Sequence, residues 1–183
     1  MAAVSDSINV SLVLELMPHG NFHQLIDRFG PFNQLDACFY YCNIACAIEF
    51  IHNHGLVSRD IKPENFLVGH DGYLVMTDLG VAEEVDGDGS WHGIGTTQYK
   101  APELFQQGSD YEFGKAVDWW ASGVILYETL TQKLVCFTNQ ITIYPPPLLL
   151  YLKELSNAII YDAWFLVFSH SREPKMGYYP TTS

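Results

Sequence analysis

The chain has 183 residues, which allows one domain and scarcely a second. Nine Lys and Arg stand against 21 Asp and Glu, a formal net charge of −12 that argues against a nucleic-acid partner, since such a partner calls for a basic surface. Hydrophobic residues make up 48%, with 4 Trp, 11 Tyr and 11 Phe, so a core can be built and disorder over most of the chain is excluded.

Met1 to Val10 carries no basic residue before its first apolar run and reads as an N-terminal lead rather than a secretory signal. The expectation is an intracellular, cytoplasmic protein, and Asn9-Val10-Ser11 is then a chance match to a glycosylation acceptor. Val10–Met17 is a short apolar run ended by Pro18-His19-Gly20, which predicts a strand and a turn. Asn21 is placed to cap a helix over Phe22 to Phe29, broken by Gly30-Pro31. From Asn33 to Asn53 nothing interrupts a long helix, closed by Gly55. Leu35, Phe39, Cys42, Cys46, Ile48, Phe50 and Ile51 lie on more than one of its faces, which predicts a central, buried helix.

Phe66–Val68 and Tyr73–Met76, joined through Asp71-Gly72, predict a hairpin. Glu83 to Ser90 is acidic and Gly-rich, hence a loop. A helix follows from about Lys115 to Gln132, apolar nearly all round and so also central. After Tyr144 comes Pro145-Pro146-Pro147 and an aromatic stretch without period. Pro147–Leu152 and Ala158–Phe168 are too short to span a bilayer. Cys38, Cys42 and Cys46 recur every four residues along one helix face, while Cys136 stands apart. That spacing is neither a zinc pair nor an iron–sulfur run, so the three read as buried thiols.

The densest chemical signal is Ser58-Arg59-Asp60-Ile61-Lys62-Pro63-Glu64-Asn65, in the loop between the long helix and the hairpin. It sets a carboxylate, an ammonium and an amide on one short bridge, and Asp78 follows the far strand of the hairpin. One carboxylate can take a hydroxyl proton while the other, with the amide, holds Mg²⁺ against nucleotide phosphates. Any single Asp or Lys is more often a solvated surface residue; the ordered combination is hard to reach by accident.

With these residues in view, the chain resembles the C-terminal lobe of a eukaryotic protein kinase. Five motifs stand in family order: LELMPHGN, SRDIKPEN, TDLG, GTTQYKAPE and KAVDWWASGVILYE. The form RD-x-K-P-E-N resembles serine/threonine kinases, and DGYLVMTD with the last motif resembles the AGC group. The resemblance implies a mainly α fold, the large lobe with its small β-hairpin at the active site and the small lobe missing. It covers residues 11–144, between the lead at 1–10 and a divergent tail at 145–183.

By this resemblance Asp60 is the catalytic base, Lys62 the γ-phosphate contact, and Thr96 joins both at the substrate hydroxyl. Asn65 and Asp78 become the Mg²⁺ ligands for ATP. Backbone groups of Glu15 and Met17 pair with adenine, Leu67 forms the floor beneath it, and Asn21 stands where relatives often place a ribose-binding acid. Asp118 caps backbone amides of the catalytic loop, Glu103 seeks an arginine farther along, and Tyr99 and Trp120 pack. The partner implied is a protein or peptide with Ser or Thr.

Several departures temper this. The Gly-rich loop, the strand lysine and its helix glutamate are not among the motifs. Ser58 replaces a His or an aromatic, and Leu79 replaces a Phe. Beyond Tyr144 the similarity stops. The expectation is a serine/threonine kinase by family, weakly active or inactive as this chain alone. The alternative is a non-catalytic, pseudokinase-like scaffold. A third outcome is an unstable chain whose Val10–Met17 strand lacks sheet partners. Finally, the resemblance implies that Arg59 pairs with a phosphate on the segment before Gly95. His92 occupies the usual phosphosite, so Ser90 or the fixed acids Asp86 and Asp88 are the expected substitutes.

Overall fold

The computed structural model describes residues 2–6, 8–85, 94–105 and 114–134. Asp86, Asp88, Ser90, His92, Cys136, the Pro145–Pro147 run and the tail at 145–183 lie outside them. Two strands open the chain, Ala2–Ser5 (β1) and Val10–Val13 (β2), antiparallel with Ala2 opposite Val13 and Ser5 opposite Val10. Asp6 makes the turn, its Oδ1 accepting from the Ile8 and Asn9 amides at 2.7 Å each. Residues read as a lead therefore hold a strand, and the strand expected to lack a partner has one. Ala2–Ser5 is too short and too poor in β-branched residues to announce itself. The second strand also stops at Val13, four residues before the apolar run does.

Helix α1 spans Phe22–Phe29 behind a complete capping box. The Asn21 side chain accepts from the Gln24 amide at 3.0 Å, and the Gln24 side chain accepts from the Asn21 amide at 3.1 Å. Helix α2 runs Gln34–Asn53, its first amides met by Asn33, whose Oδ1 accepts from Leu35 and Asp36. Gly55 ends it at φ +75°, a conformation natural to glycine. The expectation of a helix buried on most sides is corrected: Ala37, Ile44, Ile48 and Ile51 are buried, but Leu35 is 82% and Phe50 64% exposed. Apolar residues on two faces did not mean two covered faces.

Strand β3 (Leu56–Val57) follows, then a 3-10 turn at Pro63–Asn65, then Phe66–Val68 (β4) and Leu74–Met76 (β5). These last two form the expected hairpin, with Phe66 opposite Met76 and Val68 opposite Leu74. Gly72 sits in its turn at φ +83°. Glu83–Glu84 (β6), expected as loop, instead pairs antiparallel with β3, Val57 opposite Glu83. A two-residue strand carries no periodicity to detect, and a partner 26 residues away supplies its order.

Helix α3 is Ala116–Thr131, closed by Gln132 in the left-handed region at φ +54°. Val124, Ile125 and Leu126 are buried with Ile44 and Ile48 of α2, while Phe22 and Ile26 bury the inner face of α1. The Gln132 side chain donates to the Ile26 and Asp27 carbonyls at 3.1 and 3.2 Å, tying the end of α3 to the end of α1. The Phe32 amide donates to the Thr129 carbonyl at 3.0 Å. Under the 58–65 loop, Val57, Ala101 and Val117 form a small buried cluster packed by Val85, Leu104 and Trp120. Among the described residues no helix is long and apolar enough to cross a membrane.

Candidate active site

Asp118, in the first turn of α3, is 1% exposed and accepts three hydrogen bonds. The Ser58 amide donates to its Oδ2 at 2.8 Å and the Arg59 amide to its Oδ1 at 3.0 Å. His52 Nε2, at the end of α2, lies 2.8 Å from the same Oδ2. A carboxylate so deep in the protein needs this full set of partners, so the loop is pinned where α2 and α3 meet. The capping duty read for Asp118 is thus present; His52 was not foreseen, because no local pattern links it to a residue 66 positions away.

The pinned loop aims Asp60 at Thr96. Asp60 Oδ1 accepts from both the Thr96 amide (2.9 Å) and the Thr96 hydroxyl (2.8 Å). Lys62 Nζ donates to Asp60 Oδ2 at 2.7 Å and to Thr96 Oγ1 at 3.1 Å. Asn65 Nδ2 donates to the Asp60 carbonyl at 2.9 Å. Four expected site residues, Asp60, Lys62, Asn65 and Thr96, are therefore one hydrogen-bonded cluster. Asp60 and Lys62 keep part of their side chains in solvent, at 13% and 22% exposure, unlike Asp118.

Asp78 reaches the same neighbourhood through the hairpin. The Thr77 amide donates to the Asn65 carbonyl at 2.8 Å, extending the β4–β5 ladder by one step. Asp78 follows directly, exposed, at φ +59°, its Oδ1 accepting from the Gly80 amide at 3.2 Å. Asp60 thus stands in the 58–65 loop and Asp78 just past the end of β5.

The expected nucleotide residues are less gathered. Leu67 lies at the middle of β4, bridged to Asn21, and the Val68 amide donates to the Gly20 carbonyl at 2.9 Å. Asn21 spends its carbonyl oxygen on the helix cap, leaving Nδ2 outside that arrangement. Glu15 is exposed and Met17 half-buried on a segment outside any strand. Leu79 is 44% exposed, and Ser58 is buried with its amide on Asp118. The backbone of Glu103 lies in a 3-10 turn, Pro102–Phe105.

Two further groups were missed. Tyr99, expected only to pack, donates through its hydroxyl to buried Glu128 Oε2 at 2.8 Å. Burial pushes the Glu128 carboxyl above the usual carboxylate range, against the lowering effect of that hydrogen bond. Arg59 pairs through Nη1 with Glu83 Oε2 and donates from Nε to the Val81 carbonyl at 2.7 Å. Glu83 is thus an acid in contact with Arg59 among the described residues; the expected substitutes Ser90, Asp86 and Asp88 lie outside them. Of the cysteines, Cys38 is buried and Cys46 exposed; burial and Cys38 push the Cys42 thiol up to about 12. A thiol held so far from its thiolate form is a poor metal ligand, and no group of three or more His, Cys, Asp or Glu among the described residues is placed to hold a metal.

Known proteins resemble this chain over most of its length. Residues 1–145 match the protein kinase domain family. The chain is 38% identical over 120 residues to the putative serine/threonine-protein kinase PRKY of Homo sapiens, covering 66% of the chain and 42% of that protein. It is equally 38% identical over 120 residues to the human cAMP-dependent protein kinase catalytic subunit PRKX, covering 66% of the chain and 32% of the relative. It is 34% identical over 165 residues to the cAMP-dependent protein kinase catalytic subunit 3 of Drosophila melanogaster, covering 87% of the chain and 26% of the relative. The chain spans less than half the length of these relatives. With a family match over most of its length, this chain belongs to the protein kinase family, and the relatives it matches are named as serine/threonine or cAMP-dependent protein kinases.

Proposed function

We propose that the segment is the catalytic-loop part of a serine/threonine protein kinase, the large lobe, transferring the γ-phosphate of ATP to protein hydroxyls. The observation that carries this reading is the contact between the Thr96 hydroxyl and Asp60. An aliphatic hydroxyl already donates to Asp60 at 2.8 Å while accepting from Lys62. A substrate Ser or Thr presents the same group, so the site is built to orient it.

In this reading Asp60 accepts the substrate hydroxyl proton at its carboxylate, and Lys62, within reach of the same oxygen, steadies the transferred phosphoryl charge. Thr96 holds the Asp60 carboxylate in place through two bonds to one oxygen. Asn65 donates through Nδ2, so its Oδ1 is directed away from those bonds, and Asp78 keeps Oδ2 outside its turn. Two hard oxygen donors suit Mg²⁺, which keeps waters and takes phosphate oxygens for the rest of its shell. Bound Mg²⁺ would neutralise phosphate charge on ATP. Leu67 would lie under adenine, Asn21 would offer Nδ2 to ribose, and the backbone of Glu15 and Met17 would meet the adenine edge. An intact Asp60–Lys62–Thr96 cluster is what a working enzyme requires and a scaffold does not.

The test is transfer of labelled phosphate from Mg-ATP to serine and threonine peptides by a polypeptide containing this segment. Asp60→Asn should reduce it at least about a thousandfold, as loss of a base that also orients its substrate does. Transfer that survives Asp60→Asn would overturn the assignment.

A further inference from the structure

Lys100 is a cation that the fold brings to the edge of the Asp60 cluster. The Tyr99 amide donates to the Thr96 carbonyl at 3.0 Å, closing the 3-10 turn Thr97–Tyr99, so the chain doubles back directly after Thr96. Tyr99 and Ala101 are buried on either side of Lys100, and the Tyr99 hydroxyl is tied to Glu128, which fixes the backbone between them. Gly95 sits at φ +83°, where a Cβ would meet the Arg59 carbonyl oxygen at 2.5 Å, so only glycine fits there. That bare backbone leaves room for the Lys100 stem, whose Cε stands 3.6 Å from the same Cβ position. Lys100 is half-buried as a result and, with Asp60 and Thr96, lines a hollow beside the 58–65 loop.

The acids lining that hollow are already matched. Asp60 accepts from Lys62 and Thr96, and Asp118 accepts from Ser58 and Arg59 and pairs with His52. Among the described residues Lys100 Nζ has no hydrogen bond and no ion pair. We propose that Lys100 is a specificity-determining residue: it binds the carboxylate of an Asp or Glu placed next to the acceptor, so the protein substrate carries an acidic residue beside its reacting Ser or Thr. The substrate class rests on the phosphotransfer reading above; the preference for a carboxylate beside a hydroxyl is measurable by binding alone. A hydroxyl held at Asp60 lies beside Thr96, one residue from Gly95. Consecutive Cα atoms of a peptide are about 3.8 Å apart, so a residue adjacent to the acceptor comes within reach of the Lys100 ammonium. A basic residue at the same place meets a like charge, and discrimination then comes from repulsion as well as attraction. Against a chain of formal net charge −12, a carboxylate ligand is repelled at long range and needs such a local cation.

Binding of short peptides to the full 183-residue chain, followed through the Thr96 amide in ¹⁵N spectra, tests this. The peptides carry one serine and differ only in the residues flanking it, which are Glu, Ala or Lys. The Glu peptide should bind about fivefold more tightly than the Ala peptide and about tenfold more tightly than the Lys peptide. Lys100→Met, which keeps an unbranched stem and removes the charge, should make the three alike. Lys100→Arg should keep the order, and Lys133→Met, at an exposed lysine elsewhere, should change nothing. Unchanged amides of Val68 and Leu74 in the hairpin show that each variant is folded. Equal binding of the Glu and Lys peptides by the wild type overturns the inference. So does a preference that survives Lys100→Met, or the absence of binding by any peptide at millimolar concentration. Values of kcat/KM with Mg-ATP for the same peptides keep the two ideas apart. If transfer is absent or survives Asp60→Asn while the Glu peptide still binds best, the kinase reading fails and the Lys100 site stands. If transfer depends on Asp60 but is indifferent to the flanking residue, the role of Lys100 alone fails.

Discussion

Three carboxylates on two elements have three different duties, set by what surrounds each. Asp118 is sealed and shared among Ser58, Arg59 and His52, so it organises the loop and has nothing left for a substrate. Asp60 keeps an edge in solvent and already accepts a hydroxyl. Glu128 is buried beneath Tyr99 with His23 Nδ1 at 3.6 Å, and burial raises its proton affinity. Below the ordinary carboxylate value Glu128 is protonated in both folded and unfolded chains. Between that value and its raised folded value only the unfolded chain ionises, so stability contributed by Glu128 is lost as pH rises through this window. Urea unfolding from pH 4 to pH 7 should therefore show the wild type losing stability relative to Glu128→Gln, which still accepts from Tyr99. A pH-independent difference would mean that burial does not govern this group.

At the scale of elements, short strands are ordered by partners and long helices by their own caps. Helix α1 begins and ends where Asn21 and Gly30 dictate, and α2 begins where Asn33 does. By contrast the 58–65 loop has no cap of its own and depends on α3. Asp118→Ala would strip acceptors from the buried Ser58 amide, the partly buried Arg59 amide and His52 together. Its cost should be about 3–5 kcal/mol, as when one partner of a buried polar network is removed. That is a large share of the roughly 5–15 kcal/mol by which domains are stable. The urea midpoint measures it, and a loss below about 1 kcal/mol would show that the loop is held by packing around Val57, Ala101 and Val117 instead.

Across the whole described chain, stability is uneven. The β1–β2 pair, among the described residues, forms a two-stranded sheet with Val4 60% and Leu12 63% exposed, whereas Ile48 and Ile125 are fully buried. An isolated hairpin is marginal in water. Native-state exchange should therefore release the Leu12 and Val4 amides at lower denaturant than those of Ile48 and Ile125. Equal protection would mean that the hairpin unfolds only with the helices. The join of α1 to α3 through Gln132 spans more than a hundred residues and belongs with the late-opening group.

What the sequence determined by itself was whatever local chemistry decides: both ends of α1, the start of α2, the Asp-Gly hairpin, the span of α3, and the ordered motifs that carry Asp60, Lys62, Asn65, Asp78 and Thr96. Caps, turns and helical period act over three to seven residues, so they are written in adjacent letters. Tertiary structure alone decided that α2 leaves Leu35 and Phe50 in water, that Ala2–Ser5 partners Val10–Val13, and that Glu83–Glu84 is a strand. It alone chose His52 as the partner of Asp118, Glu128 as that of Tyr99, and Glu83 as that of Arg59. Each of these is a contact between side chains or strands far apart in sequence, where burial makes an unpaired charge costly and geometry selects which distant group meets it.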